Sequence, residues 1–357
     1  MRVREWDAKA SSSDEIESIV ATLNEVLAGD LPEDPPWQST GMRAYLTETM
    51  PGERRVYWLI DAAEAIGATD ATKTTDASKP TDATKTTERR ALGYANLLVL
   101  GDIGVVEVLV HPSARGRGVG RSLLATVVRR AYSEGLSSLG VEAVGGTPAG
   151  RFWEVFGFRC AYVEMRNILD LSSVDWPKLA ETAAVIPAGY RVEYHPGGLP
   201  SELLERYAAA KAVRRETEPG DLELRPSSYD AQRLAESLET LNRRGMKPHL
   251  VLAIHEETGE VASLTEVVAP TQHPTRADQY DTIVVPAHQD LGLERAIKAR
   301  MLLELRSAEP RLTEVQTWNA LENDPIALVN AELGFRPDRE WREYEADVLD
   351  LIDQLGH

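Results

Sequence analysis

A basic, glycine-rich turn is the segment of this chain whose residue types and spacing most clearly indicate chemistry. Three glycines alternate with arginines and a valine along it, in the order Arg115, Gly116, Arg117, Gly118, Val119, Gly120 and Arg121. Glycine admits left-handed backbone conformations and leaves no side chain to keep a ligand off the main chain. Unpaired N–H groups and the helix dipole favour an anion where a helix begins. The turn therefore predicts a site for a phosphate-bearing ligand.

Two regular elements must hold this turn. An apolar run ends at Val110, Pro112 interrupts it, and an apolar pattern with helical spacing begins at Ser122. A proline ends a strand because it lacks an N–H donor, whereas apolar residues at helical spacing indicate an amphipathic helix. The segment is predicted to be a strand, a tight turn and a helix.

The glycine spacing separates three kinds of phosphate-binding turn. A P-loop requires Gly-Lys followed by Ser or Thr, which is missing here, and the dinucleotide fingerprint requires G-x-G-x-x-G. What remains is Arg115-x-x-Gly118-x-Gly120 after a strand. This pattern resembles the pyrophosphate loop of the GCN5-related N-acetyltransferases, the GNAT superfamily. Downstream, the segment 150–158 ends in the aromatic-x-x-x-Gly-Phe signature of such domains.

The resemblance implies an acetyl-CoA-dependent enzyme in which an amine attacks the thioester directly in a ternary complex. It places Leu109 and Val110 along the pantetheine arm. It places the pyrophosphate at the turn residues Arg115, Gly116, Arg117, Gly118, Val119, Gly120 and Arg121.

The second half of the chain repeats the order of elements. A helix near 201–212, a hairpin over 250–268, a strand ending at Pro286, a helix over 293–305 and a second Gly-Phe at 334–335 follow one another. The chain therefore resembles a tandem GNAT protein. This half also resembles the second domain of actinobacterial acetyltransferases related to mycothiol synthase, through Thr282-Ile-Val-Val, His288, Lys298, Thr317-Trp-Asn-Ala320, Asn323 and Asn330-Ala-Glu-Leu-Gly-Phe335.

The predicted fold class is α/β (α+β), with two tandem GNAT-like domains, each a mixed, mostly antiparallel central sheet flanked by helices. The predicted domains are 1–172 and 190–357, joined by a linker at 173–189. A six-residue repeat with no large apolar side chain fills a low-complexity loop at 67–90, which predicts disorder.

The second turn departs from the pattern. Gln289 and Gly292 fit, but Glu294 stands where Gly or Ala belongs, and Asp290 adds another acid. Carboxylates repel a pyrophosphate and obstruct its approach to the backbone. We expect the C-terminal domain to have a degenerate cofactor site and to serve as a structural or substrate-shaping partner.

The catalytic base is predicted to be Glu107, on the strand that enters the site; a solvated or paired carboxylate is the alternative reading. His111 is expected at the loop surface. The family's usual thiolate acid is a tyrosine, and its positions hold Trp153 and Asn330. Water, another tyrosine such as Tyr132, a group from the second domain or unassisted departure of the thiolate remain alternatives.

Composition bounds the remaining possibilities. The net charge is −18 and no Lys/Arg-rich run occurs, which argues against a nucleic-acid partner. No apolar stretch is long enough to span a membrane, the N-terminus lacks a signal-peptide core, and the histidines are too scattered for a zinc site. The single cysteine, Cys160, predicts a buried structural thiol and a cytoplasmic protein.

The predicted function is transfer of acetyl from acetyl-CoA to the amine of a small molecule, by a monomer or homodimer that binds no metal. Two alternatives stay open: a non-catalytic acyl-CoA-binding sensor or scaffold, and a protein lysine acetyltransferase.

Overall fold

The computed structural model describes residues 2–62, 90–217, 230–321 and 325–355, with side chains omitted at 214–217. Contacts divide the chain into two compact units. Unit 1 comprises Met1–Glu142, Arg151–Arg159 and Tyr344–His357, and unit 2 comprises Ala143–Gly150 and Cys160–Glu343. None of the helices in the described ranges is long and apolar enough to cross a membrane.

The strands of unit 1 lie side by side in chain order. They are β1 Arg4–Trp6, β2 Arg54–Asp61, β3 Ala91–Leu100, β4 Ile103–Val110 and β5 Ser138–Val144. β1 to β4 pair antiparallel, and β5 is parallel to β4. A parallel neighbour requires a crossover connection, and the helix that follows the glycine-rich turn supplies it.

Helices cover this sheet. They are α1 Ser13–Asp30, α2 Ser39–Thr47, α3 Val119–Ser133, α4 Pro148–Val155 (in unit 1 from Arg151 onward) and, near the end of the chain, α10 Val348–Leu355. A capping box formed by Ser12 and Glu15 begins α1, whose apolar face contributes Ile16, Ile19 and Leu23 to the core.

Close packing holds α3 against the sheet. A Cβ placed on Gly93 of β3 would lie 2.7 Å from a methyl carbon of Val119 and 2.9 Å from one of Leu123. Glycine at this position therefore lets the first turn of α3 approach the backbone of β3 closely, which fixes where the helix begins.

The strands of unit 2 lie in the order β12-β6-β11-β10-β9-β8-β7. Its strands are β6 Arg159–Asp170, β7 Tyr190–Pro196, β8 Met246–His255, β9 Val261–Pro270, β10 Arg276–Val284, β11 Glu314–Ala320 and β12 Arg336–Asp347. Its helices are α5 Trp176–Ala184, α6 Ser201–Thr217, α7 Ala231–Arg243, α8 Leu293–Ala308 and α9 Pro325–Leu333. β10 and β11 form the parallel pair, and α8 connects them.

The predicted fold class is confirmed: both units are mixed, mostly antiparallel sheets with helices on their faces.

The compact units do not follow the chain order of the expected domains 1–172 and 190–357. Strand β6 pairs with β11 of unit 2 from Asp170 to Glu164, and α10 packs on α3 of unit 1. Residues 173–189, expected as a linker, contain helix α5, which packs on α8. The predicted loop 67–90 lies outside the described residues except for Arg90.

Candidate active site

Strands β4 and β5 diverge beside the predicted pantetheine site. They pair only from Ile103 opposite Ser138 to Val105 opposite Gly140, although β4 continues to Val110. Beyond Val105 the two strands separate, so the backbone of β4 faces a gap along that edge. Leu109 and Val110 lie on this diverging part, where a pantetheine arm can hydrogen-bond to main-chain groups.

The glycine-rich turn follows β4 directly. Gly116 and Gly118 have φ values of 71° and 82°, in the left-handed region that glycine adopts without strain. Gly118 is the residue immediately before α3, and the first hydrogen bond of the helix runs from Ser122 N to Gly118 O at 3.0 Å. The N–H groups of Val119, Gly120 and Arg121 precede that bond and emerge at the helix start.

The space around the turn fits a diphosphate. A Cβ on Gly116 or Gly118 would meet no atom within 4 Å, so this side of the turn is open. At Gly120 a Cβ would lie 3.0 Å from the Phe152 ring, so the packing there favours glycine.

The three arginines differ in their environments. Arg115 turns back onto the protein, with its guanidinium 3.3 Å from Asp30 and its Nε 3.4 Å from the carbonyl of Val110. Arg117 and Arg121 are exposed. The turn therefore offers two solvent-facing guanidinium groups and a helix N-terminus to an anion.

Glu107 lies at a cavity of about 150 Å³. Asn96, directly opposite on β3, donates a hydrogen bond from Nδ2 to Oε2 of Glu107 at 2.7 Å. The other lining side chains are apolar or aromatic: Ile19, Leu23, Trp37, Met42, Tyr45, Tyr94 and Leu109. A carboxylate at the wall of an otherwise apolar cavity is a candidate general base.

Burial raises the pKa of the Glu107 carboxyl, while the charge of Arg55 and the hydrogen bond from Asn96 act in the opposite direction. Arg55 lies over the Tyr45 ring at 4.6 Å and contacts Glu53. Burial, followed by the charge of Glu107, raises the pKa of the Tyr94 hydroxyl well above its usual value. Tyr94 is therefore protonated at neutral pH, and the higher pKa of Glu107 makes it a stronger base than an exposed carboxylate.

Sequence reasoning missed the companions of Glu107. Tyr94 of β3 and Tyr45 of α2 line the cavity, and the register of β3 against β4 brings Asn96 to Glu107. The alternation Tyr94-x-Asn96 on one strand was the available signal, because residues two apart share a face.

The expectation for His111 was wrong: it is 2% exposed rather than at the loop surface. Its Nδ1 accepts a hydrogen bond from the Ser113 N–H at 3.1 Å, and its Nε2 lies 3.0 Å from a carboxylate oxygen of Glu25. The ring connects the end of β4 to α1, so its contacts are structural.

Three other residues singled out in the sequence differ in burial. Cys160, expected to be buried, is exposed. Trp153 is buried, with ring contacts to Phe152 and Phe158 at 4.9 and 5.0 Å between centroids, so it packs in the core. Tyr132 is exposed in the last turn of α3, at the end opposite the glycine-rich turn.

The turn before α8 in unit 2 has backbone conformations like those of the first turn but different side chains. Gly292 precedes α8 with a φ of 73°. Asp290, at the position of Gly116, has a φ of 61° and is the only non-glycine residue with positive φ in the described part of the chain. Glu294 lies in the first turn of α8. Carboxylates thus replace the bare positions Gly116 and Gly120 of the first turn, and Gln289 and Leu291 stand where it has Arg115 and Arg117.

Unit 2 holds a buried ion cluster where α6 packs against β9 and β10. Lys211 of α6 places its Nζ 2.9 Å from both carboxylate oxygens of Glu266 and 2.7 Å from Asp281. Tyr207 donates a hydrogen bond to Glu266. The ammonium and both carboxylates are largely removed from solvent, so each charge depends on its partners.

We expect Lys211→Met to lower the free energy of unfolding of unit 2 by about 3–5 kcal/mol, because two buried carboxylates lose their counter-ion. Chemical denaturation of the full chain measures the change. The triple variant that also carries Glu266→Gln and Asp281→Asn should recover most of the loss. Equal stability of Lys211→Met and the unaltered chain would contradict the pairing.

Comparison with known proteins finds one family model that matches part of the chain. The model of the GNAT acetyltransferase family matches residues 35–158, which include the diverging strands, the turn and Glu107. No curated protein matches the sequence significantly.

Solved structures show the same fold over nearly the whole chain. A tandem GNAT protein from the clavulanic acid biosynthesis pathway superposes with a TM-score of 0.76 at 22% identity, covering 97% of this chain and 98% of that one. A GCN5-related N-acetyltransferase from Sphaerobacter thermophilus has a TM-score of 0.63 at 13% identity, covering 97% and 96%. Residues 35–158 therefore match the GNAT acetyltransferase family model, and the chain has the fold of a tandem GNAT protein.

Proposed function

We propose that this protein transfers acetyl from acetyl-CoA to the amine of a small molecule, with both reactants bound in unit 1. The observation that carries the proposal is the junction of three features: the gap between β4 and β5, the open turn at Gly118, and a carboxylate with a raised pKa at an apolar cavity. In unit 2, by contrast, the turn carries acids and Lys211 pairs with buried carboxylates of β9 and β10.

In this proposal the pyrophosphate of acetyl-CoA binds the N–H groups at the start of α3. Arg117 and Arg121 add solvent-facing positive charge, and Arg115 braces the turn through Asp30 and the Val110 carbonyl. The pantetheine arm extends along β4 past Val110 and Leu109. This path directs the thioester toward the part of β4 that carries Glu107.

The reaction is one displacement at the thioester carbonyl. Glu107 takes a proton from the acceptor ammonium, directly or through one water, and leaves a neutral amine. The amine nitrogen forms a bond to the carbonyl carbon, the C–S bond breaks, and the electron pair leaves with sulfur as the coenzyme A thiolate. The attacking nitrogen loses its second proton to solvent. Water protonates the thiolate, because the family's tyrosine position holds Trp153, whose indole is no useful acid.

Release of coenzyme A from acetyl-CoA in the presence of a panel of amines tests the proposal. Acetyl carrying a radiolabel should appear in a small-molecule product. Tight acetyl-CoA binding without amine-dependent release would favour the sensor or scaffold instead. Label recovered in protein, with none in small amines, would favour lysine acetylation.

A further inference from the structure

The two units place polar residues at corresponding positions of their sheets. Asp281 precedes Gly292 by the same number of residues as Glu107 precedes Gly118. Thr282 pairs with Thr265, so Asp281 lies at a bulge of β10 beside Glu266 of β9. In unit 1 the matching pair is Glu107 on β4 and Asn96 on β3. The Asp281–Glu266 pair and the Glu107–Asn96 pair are therefore equivalent.

The first long helix of each unit extends the correspondence. Counted from the first residue of each helix, Lys211 of α6 takes the position of Leu23 of α1, and Tyr207 takes that of Ile19. Leu23 and Ile19 line the cavity of unit 1. We infer that the side chain of Lys211 occupies in unit 2 the place that the open cavity has in unit 1.

We propose that the unit 1 cavity binds the end of an unbranched primary alkylammonium, with its nitrogen at Glu107 and its carbon chain against the apolar and aromatic wall. Lys211 is the internal example of such a ligand: a primary ammonium on a straight four-carbon stem, held by acidic side chains of two adjacent strands. This inference rests on the proposed function and names its substrate class.

The lining of the unit 1 cavity suits that ligand. Glu107 supplies a carboxylate, Asn96 an amide beside it, and Trp37, Tyr45 and Tyr94 supply aromatic surface that favours a cation and its methylene groups. Arg55 is the cation that faces Glu107, and its guanidinium lies over Tyr45 and contacts Glu53.

A pair of amines tests the shape of the ligand. n-Butylamine and cyclohexylmethylamine both carry their nitrogen on a CH₂ group, so their nucleophilicity is similar. We expect kcat/KM to favour n-butylamine by about tenfold or more, a discrimination that pockets of defined width achieve. Equal rates for both amines would overturn the inference while leaving acetyl transfer in place.

A substitution in α1 tests whether a lysine like Lys211 can take the place of the proposed amine ligand. Leu23→Lys places a lysine at the unit 1 position that Lys211 has in unit 2. It should lower kcat/KM for n-butylamine by about 100-fold, with acetyl-CoA binding retained. Ala21→Lys places the same charge at an exposed position of the same helix, outside the cavity lining, and should leave turnover unchanged. Equal turnover of the two variants would contradict the inference.

A crystal of the unaltered full chain soaked in n-butylammonium chloride gives a test that needs no catalysis. Ligand nitrogen within hydrogen-bond distance of the Glu107 carboxylate supports the inference, and an empty cavity overturns it. The proposed function itself would fail separately, through absence of acetyl-CoA binding or of coenzyme A release.

Discussion

Gly118→Glu should abolish acetyl-CoA binding, with a loss of affinity of about 100-fold or more. The residue lies immediately before α3, where the helix N-terminus and the open turn are proposed to hold the pyrophosphate. A carboxylate there repels the diphosphate at close range and occupies the space that the missing Cβ leaves open. Isothermal titration calorimetry on the full chain measures the affinity and the number of sites.

Unit 2 supplies a matched control for this variant. Gly292 takes the same position before α8, with a similar φ of 73°, and its Cβ would likewise meet no atom within 4 Å. Gly292→Glu therefore introduces the same charge and the same left-handed strain, about 1–2 kcal/mol, outside the proposed site. One acetyl-CoA should bind per chain in Gly292→Glu and none in Gly118→Glu. The reverse pattern would move the cofactor to unit 2.

The turn could be predicted from sequence because its information is local. The strand before it, the glycine positions and the helix after it occupy one continuous stretch, and the structure places the helix within a few residues of its predicted start at Ser122. Glu107 could be proposed as the base because it lies on the strand that leads into this turn. The second turn could be distinguished in the same way, through the acids Asp290 and Glu294.

The surroundings of Glu107 could not be predicted because they depend on strand register and on packing between distant segments. Asn96 meets Glu107 only through the pairing of β3 with β4. Tyr45 comes from α2, for which the sequence analysis predicts no helix. His111 is buried because Glu25 of α1 lies against its ring. The grouping of β6 with unit 2 arises in the same way, from pairing with β11.

Glu107→Gln should lower kcat by about 100-fold or more, the usual contribution of a positioned general base. The variant keeps the size of the side chain but cannot take the proton of the acceptor amine. In the unaltered protein, activity should fall as the pH drops through the pKa of Glu107, which burial places above that of an ordinary carboxyl. This acidic limb should vanish in Glu107→Gln, leaving the titration of the amine itself.

The same substitution should raise the thermal stability at neutral pH. A carboxyl whose pKa is raised on folding stabilises the native state fully below its unfolded pKa, and this contribution is lost as the pH rises through the folded pKa. At neutral pH the ionised Glu107 therefore opposes folding, and the neutral amide removes that cost. Glu17→Gln, at an exposed position of α1, removes the same charge and should change neither Tm nor kcat. Unchanged activity in Glu107→Gln would exclude Glu107 as the base, whereas lower activity with lower stability would indicate a structural carboxylate.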